Sequence, residues 1–418
     1  MKKIVGIIGL GYVGLPLAYI TSVNNYKVIG IDTDEQKINT INNKKKIPIQ
    51  LQEKYKEKDF DITASDDYNK LKDADIIVIC VPTPTIDDKP DTRILQEVTE
   101  SLSKVMKKNV LLIVESTVAP KMTRRIVEKR LEKHNIIMDR DYELAYCPER
   151  IDPGNKNYWV GNINRVCGAS SKKALKESIS FYSSIIDAKI IEMNSIEAAE
   201  LVKVWENSIR NTFIAQSNLL AKICDNENMS VKNIITGLNS KVEQFPLKIA
   251  KPGLGPGGHC IPEDVHYLID SIENVDMSLF RESVNINESM PNYALNKLKQ
   301  IITDNKDNIE DLRIVMLGIS YKPNSDDTRR SQAIVLYNLL KEINKNTIYF
   351  DPIVEEKETG LDNILNNVDV VIIGCAHDTF LNIDFNSHKN IKYVFDCWNK
   401  YNKKEIQELN INYIGTGE

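Results

Sequence analysis

No Cys-x-x-Cys pair occurs in this chain, no cluster of histidines, and no apolar run long enough to span a bilayer. The seven cysteines, Cys80, Cys147, Cys167, Cys224, Cys260, Cys375 and Cys397, are odd in number and widely spaced. That pattern argues against a disulfide framework or a zinc site of paired thiols and suits reduced thiols in a cytosol. Five scattered histidines add no metal-ligand spacing, so no metal is expected. The apolar stretch Ile4–Leu10 is too short for a membrane span, and no small-residue cleavage site follows it. Strong positive charge is missing as well. The formal net charge of −5 argues against nucleic acid or an anionic membrane as partner, and the short cluster Lys44, Lys45, Lys46 stands near acids and reads as a solvated face. A cytoplasmic protein is expected.

What is present is globular material in quantity. At 418 residues, 42% hydrophobic and 27% charged, the chain has room for two or three domains with full cores. Lys3–Leu10 (KIVGIIGL) is short, β-branched and apolar on both faces, the mark of a buried parallel strand. It runs into Gly9-Leu10-Gly11-Tyr12-Val13-Gly14 and an apolar helix to about Val23; Lys27–Asp32 is a second strand ending in an acid. Asp32 lies 21 residues after Gly11, the spacing of a dinucleotide-binding βαβ unit. There the glycines permit a tight turn and close approach of a pyrophosphate, and the helix N-terminus supplies free N–H groups. Asp32 would accept from ribose hydroxyls and repel a 2′-phosphate, so NAD is expected over NADP. Pro16, so early in the helix, should cost one backbone hydrogen bond.

Asp75–Val81, Val110–Val114 and Glu143–Tyr146 read as further strands. Thr85 and Thr117 stand beyond strand ends, where a doubly wound sheet meets its ligand; both residues also suit a plain turn or cap. A long helix is expected over Ser195–Asn226, with Asn194 and Glu197 at capping-box spacing. Glu200, Lys203, Asn207 and Arg210 share one of its faces, as a solvated stripe or as the lining of a site. Its length and broad apolar face suggest a connector and a homodimer element. A helix over about Asn285–Thr303 precedes a second α/β run. That run has strands at Leu312–Ser320, Thr347–Asp351, Asp369–Cys375 and Tyr393–Asp396, a helix at Ser331–Asn344, and no GxGxxG. Lys322 and Arg329, in the loop after its first strand, suit phosphate or solvent alike. The expected fold is α/β: two Rossmann-like doubly wound domains joined by a long central helix, with divisions at 1–193, 194–304 and 305–418.

Gly255-Pro256-Gly257-Gly258-His259-Cys260-Ile261-Pro262-Glu263-Asp264 stands apart. A thiol on a turn with few side chains can reach a small reactive group, although a glycine turn beside a buried structural cysteine has the same spelling.

Taken together, GLGYVGLP at 9–16, STVAP at 116–120, CPERIDPG at 147–154, the Glu200/Lys203/Asn207 helix, GPGGHCIPED at 255–264 and YKPNSDDTR at 321–329 resemble the UDP-glucose/GDP-mannose dehydrogenase family of nucleotide-sugar 6-dehydrogenases, over essentially the whole chain. The resemblance implies NAD contacts at Gly9, Gly11, Tyr12, Val13, Gly14, Asp32, Lys37, Thr85, Thr117 and Arg329. It implies nucleotide-sugar contacts at Glu149, Arg150, Ile151, Lys203, Asn207, Arg210, Gly257, Tyr321 and Lys322. Cys260 would be the nucleophile, Lys203 the acid/base or oxyanion partner with Asn207, and Glu149 and Asp264 the carboxylates that handle water, with Thr117 also catalytic.

The implied reaction is a four-electron oxidation of a C6 alcohol to a uronate. Cys260 would hold the intermediate aldehyde as a thiohemiacetal and then a thioester, and a carboxylate would orient the hydrolytic water. Cys-Pro-Glu-Arg-x-x-Pro-Gly resembles the N-acetylhexosamine branch, with surface polysaccharide as the destination. Two departures stand out. Glu263 sits where a lysine is common, and Glu243–Lys251 lacks the basic motif of either N-acetylhexosamine group, leaving Lys248 as a substitute and the epimer open. UDP-glucose 6-dehydrogenase, a two-electron dehydrogenase and a non-catalytic nucleotide-sugar-binding protein are the rival readings.

Overall fold

The computed structural model describes residues 2–43, 59–150, 160–241, 249–355 and 360–418. The chain divides into two compact units, Met1–Glu206 with His266–Glu273, and Asn207–Val265 with Asn274–Glu418.

The first unit opens as β1 (Ile4–Ile8), α1 (Gly14–Val23), β2 (Lys27–Ile31), α2 (Glu35–Asn42), β3 (Ile62–Ser65) and β4 (Ile76–Ile79). A small antiparallel hairpin, β5 (Thr85–Ile86) and β6 (Lys89–Pro90), leads to α3 (Arg93–Val105) and β7 (Val110–Val114). A π-helical turn runs into α4 (Lys129–Glu132), followed by β8 (Tyr142–Tyr146), β9 (Arg165–Ala169), α5 (Lys172–Ile185) and β10 (Ile190–Glu192). The sheet order is β10-β9-β8-β7-β4-β1-β2-β3. From β3 to β8 every pairing is parallel; β9 turns antiparallel to β8, and β10 follows β9. Both faces are covered. Val5, Ile7, Val28 and Val78 belong to one core, and Ile8, Ile29, Ile77 and Ile79 to the other. Burial on both sides is why these strands read as unbroken apolar runs.

Next in the chain come α6 (Ile196–Asn226), α7 (Val231–Asn239), α8 (Ile261–Ser271), α9 (Ser278–Glu288) and α10 (Met290–Asp304). β11 (Ile314–Leu317), α11 (Gln332–Ile343), β12 (Ile348–Phe350), α12 (Leu361–Leu365), β13 (Val370–Ile373), β14 (Tyr393–Asp396), α13 (Lys403–Glu408) and β15 (Asn412–Gly415) complete it. The second sheet is wholly parallel, in the order β12-β11-β13-β14-β15. It has the same two-sided burial, with Ile314 and Met316 in one core and Val315 and Leu317 in the other. The α/β class, the two doubly wound sheets and the 31-residue helix between them in sequence stand as expected.

Local details differ from the sequence reading. The long helix starts at Ile196, and its cap is Ser195, whose hydroxyl accepts from Ala198 N–H at 3.1 Å; Asn194 lies one residue too early. The single helix expected over 285–303 is two, broken at Ser289, because Pro291 has no N–H to continue the ladder and sits instead in the first turn of α10. At Pro16 the ladder skips one rung between Leu15 N–H to Gly11 O and Leu17 N–H to Val13 O, as expected.

Candidate active site

In the first unit the turn after β1 is tight enough to demand glycine. A Cβ on Gly14 would lie 1.9 Å from the carbonyl oxygen of Gly9, whereas the space around Gly11 is open within 4 Å. That opening admits a phosphate to the backbone beside the N-terminus of α1. Tyr12 is exposed and Val13 half-buried beside it. Asp32, just past β2, accepts from Leu10 N–H at 2.7 Å, Asp34 N–H at 3.0 Å and Lys37 Nζ at 3.1 Å. Burial alone would push its carboxyl up. The Asp34 and Leu10 N–H groups and Lys37 together outweigh burial and hold it below the ordinary carboxylate range. These residues form an acid-terminated glycine cradle that fits a dinucleotide.

Thr85 opens the β5 hairpin, and Thr117 follows β7, its carbonyl accepting from Thr83 Oγ1 at 2.7 Å. Glu149 is buried. Arg150 donates to Glu206 at 2.9 Å and to the Asn164 carbonyl at 3.1 Å, so Glu206 is a partner that sequence reasoning missed. Glu200 is fully buried and leaves the polar stripe read from the sequence: it accepts from Lys121 N–H at 2.6 Å and Thr123 N–H at 2.8 Å. Desolvation pushes its carboxyl up to about 7. Lys203, one turn on, is half-buried. Ile151, Lys248 and the remainder of 151–154 and 243–248 lie outside the described residues.

In the second unit Cys260 is half-buried and immediately precedes α8. Asp264 N–H donates to the Cys260 carbonyl at 2.9 Å, closing the first helical turn. The positive end of that helix favours negative charge on the sulfur. The Asp264 carboxylate is buried and accepts from Asn207 Nδ2 at 2.6 Å. Two more asparagines of α6 continue the pattern. Asn211 Nδ2 reaches the Ile261 carbonyl at 3.5 Å, and Asn218 Oδ1 accepts from Gly253 N–H at 2.9 Å. Asn287 ties these two together through bonds to Asn211 O at 3.0 Å and Asn218 Nδ2 at 2.9 Å. Their spacing, 207, 211 and 218, recurs on one face of α6; that was the available signal. Glu263, the departure from the family's lysine, pairs with Arg330 at 3.3 Å, so here the cation comes from the facing loop. In that loop Tyr321 and Lys322 are half-buried, and the exposed Arg329 forks onto Asp327 at 2.9 and 2.5 Å. Arg210 is exposed and Gly257 half-buried.

Three models of the UDP-glucose/GDP-mannose dehydrogenase family match in order: its NAD binding domain over residues 3–186, its central domain over 197–289 and its UDP binding domain over 315–403. The chain belongs to this family. It is 32% identical over 429 residues to Protein CapL of Staphylococcus aureus, covering 99% of both chains. It is 30% identical over 439 residues to the UDP-N-acetyl-D-mannosamine dehydrogenase of Methanocaldococcus jannaschii, covering 100% of this chain and 97% of that one. Among solved structures, the UDP-D-ManNAc dehydrogenase of Pyrococcus horikoshii superposes with a TM-score of 0.89 at 27% identity, covering 99% of each chain. Cap5O of S. aureus, a UDP-N-acetyl-mannosamine dehydrogenase, gives 0.83 at 28%, covering 100% of this chain and 98% of that one. The family member described here is thus an NAD-dependent nucleotide-sugar dehydrogenase. Among its described residues, no helix is long and apolar enough to cross a membrane.

Proposed function

We propose that this dehydrogenase oxidises C6 of UDP-N-acetylmannosamine to the carboxylate, for a surface polysaccharide. The observation that carries the chemistry is the thiol turn: Cys260 at the positive end of α8, with Asp264 one turn on and bonded to Asn207. The substrate rests on full-length relatives named for UDP-N-acetyl-D-mannosamine and on the Cys-Pro-Glu-Arg loop.

Bound NAD would supply the hydride acceptor twice, a second NAD replacing the first NADH between the two oxidations. Lys203 takes the proton from the C6 hydroxyl as the aldehyde forms. Cys260 Sγ then adds to C6, making a C–S bond and an alkoxide. The alkoxide is held by Lys203 and by the second amide hydrogen of Asn207, the first being committed to Asp264. Loss of hydride from C6 leaves a thioester. Water adds at C6 with its proton passing to Asp264 or Glu149, and the C–S bond breaks to return the thiolate. The C-terminal unit would bind UDP, with Tyr321 and Lys322 among its contacts. The exposed apolar residues Leu201, Trp205, Leu219 and Ile223 on α6 support a homodimer through that helix. Seven cysteines, none of them in a disulfide among the described residues, support a cytoplasmic setting.

Assays with UDP-N-acetylmannosamine, UDP-N-acetylglucosamine and UDP-glucose, counting NADH per sugar, test the reading. We expect two NADH and a kcat/KM for the first sugar at least about ten-fold above UDP-glucose. UDP-glucose as best substrate would overturn the assignment, and one NADH per sugar would overturn the four-electron route. Light scattering that finds an active monomer would remove the dimer.

A further inference from the structure

In the second sheet the chain leaves β11 for β12 on one side and crosses to β13 on the other. The carboxyl ends of β11 and β13 therefore flank the crevice where an open α/β sheet ordinarily takes a ligand. Here the protein's own side chains fill it. Asp351, His377, Ser320 and Cys375 are all buried there. Asp351 accepts from Ile319 N–H at 2.8 Å and Ile353 N–H at 3.1 Å. His377 Nε2 stands 3.0 Å from Asp351 Oδ2 and 3.1 Å from Ser320 Oγ. Its other nitrogen, Nδ1, meets Asn324 N–H at 2.8 Å.

A backbone N–H can only donate, so Nδ1 is the bare nitrogen and Nε2 carries the proton toward Asp351. Serine and aspartate crowd the same ring nitrogen. A hydrolytic triad needs them on opposite nitrogens, so this cluster is not a nucleophile and its base. Among the described residues it reaches the loop 321–330 twice: His377 Nδ1 accepts from Asn324 N–H, and Ser320 Oγ donates to the Lys322 carbonyl at 3.3 Å.

That loop leads to the thiol turn within the same unit. Asn324 holds φ at +59° and its side chain accepts from Asp378 N–H at 3.1 Å. At the other end of the loop the Arg329 carbonyl accepts Gly258 N–H at 2.8 Å, and Arg330 pairs with Glu263. Gly258 has φ +77°, and a Cβ there would lie 2.9 Å from Tyr321 Cζ; on Gly257 it would lie 2.5 Å from Tyr321 Cβ. The Tyr321 ring thus packs directly on the glycines that precede Cys260.

We propose that His377, oriented by Asp351, is a positioning residue. It fixes the loop 321–330, and through it both the Gly257-Gly258 turn that carries Cys260 and the nucleotide-sugar contacts Tyr321 and Lys322. The substrate side of this inference rests on the function proposed above; the loop side does not.

Two substitutions separate positioning from packing. His377→Asn places an amide oxygen near the Nδ1 station and keeps an acceptor for Asn324 N–H. His377→Gln places its amide near the Nε2 station, keeps the Asp351 partner and gives up the loop. Amide hydrogen exchange is followed at Asn324 and Gly258, alongside kcat and KM. Wild-type Asn324, although in a surface loop, is expected to be protected. In His377→Gln both amides should exchange about ten-fold faster or more, and KM for the nucleotide sugar should rise about ten-fold, with KM for NAD within about two-fold. His377→Asn should stay close to wild type in all three. Equal losses in both variants would overturn the proposal, since a packing role treats them alike. So would a wild-type Asn324 amide that exchanges at the open-loop rate, a result needing no variant to fold. Exchange requires no substrate, so it decides the matter even where the sugar assignment fails.

Discussion

In the first sheet Gly9 N–H bonds to the carbonyl of Ile31, and Asp32 comes next; in the second, Gly318 N–H bonds to the carbonyl of Phe350, and Asp351 comes next. Each carboxylate then accepts the N–H of the residue after the glycine, Leu10 or Ile319. The two acids hold one station in one architecture, yet their surroundings differ. Asp32 keeps a solvent-facing edge beside Lys37, whereas Asp351 is fully buried against His377. The connections explain the difference. Residues 9–13 bring α1 up directly, leaving the crevice open, whereas residues 318–331 separate β11 from α11 and supply a loop that needs anchoring. The same acid faces an open cradle in one unit and serves the protein itself in the other.

The largest effect should come from the thiol, which belongs to the second unit. Cys260→Ala should cut uronate formation by about 10³-fold or more while NAD binding in the first unit persists. NADH and uronate counted per sugar, with a carbonyl trap for released aldehyde, check this; uronate at near wild-type rate would return Cys260 to a structural role.

Buried acids sharpen the contrast. Glu200 accepts from the Lys121 and Thr123 N–H groups, but burial outweighs them and its folded carboxyl keeps its proton to about 7, against an ordinary value of 4.5. The folded state therefore binds the extra proton, and stability falls as pH rises from about 4.5 to 7, by up to about 3 kcal/mol. For Asp351, burial pushes the carboxyl up, but His377 and the Ile319 N–H outweigh it and hold it low. Its contribution is thus full above 3.8 and lost as pH falls below. Denaturant titrations from pH 4 to 8 should show Glu200→Gln flattening the neutral slope and Asp351→Asn leaving that slope intact.

Exchanging the roles of the paired acids comes next. Asp32→Asn should raise KM for NAD about ten-fold or more and narrow the preference over NADP, with little change in Tm. Asp351→Asn should do the reverse, lowering Tm by several degrees at unchanged KM for NAD. Comparable kcat/KM for NAD and NADP in the unmodified enzyme would break the comparison. Smallest of all is the Glu263–Arg330 pair, partly exposed and worth less than about 1 kcal/mol. Glu263→Lys and Arg330→Glu should each loosen the thiol turn slightly and together restore it, as a double-mutant cycle of Tm and KM would register.

The first sheet and its glycine cradle were legible because their signals are local: strand period, turn chemistry and the interval from Gly11 to Asp32. The antiparallel β9 was not, since pairing Ala145 with Ala169 is a long-range choice that no window of sequence contains. Helical phase put Glu200 on a polar stripe, solvated or lining a site, and it is the chain at 121–123 that makes it an internal cap. The asparagines of α6 were seen singly at Asn207, while Asn211 and Asn218 acquire meaning through Gly253, Ile261 and Asn287, distant in sequence. Asp351 was read as one more strand-terminal acid, and His377, far along the chain, decides its use.

The asparagine ladder has a consequence for measurement. Amide-to-backbone and amide-to-amide bonds carry no net charge and take up no proton across the range in which proteins stay folded. The anchorage of the thiol turn along Asn211, Asn218 and Asn287 is therefore indifferent to buffer and to ionic strength. The asparagine part of the frame should then add no ionisation of its own to a pH–rate profile of this dehydrogenase.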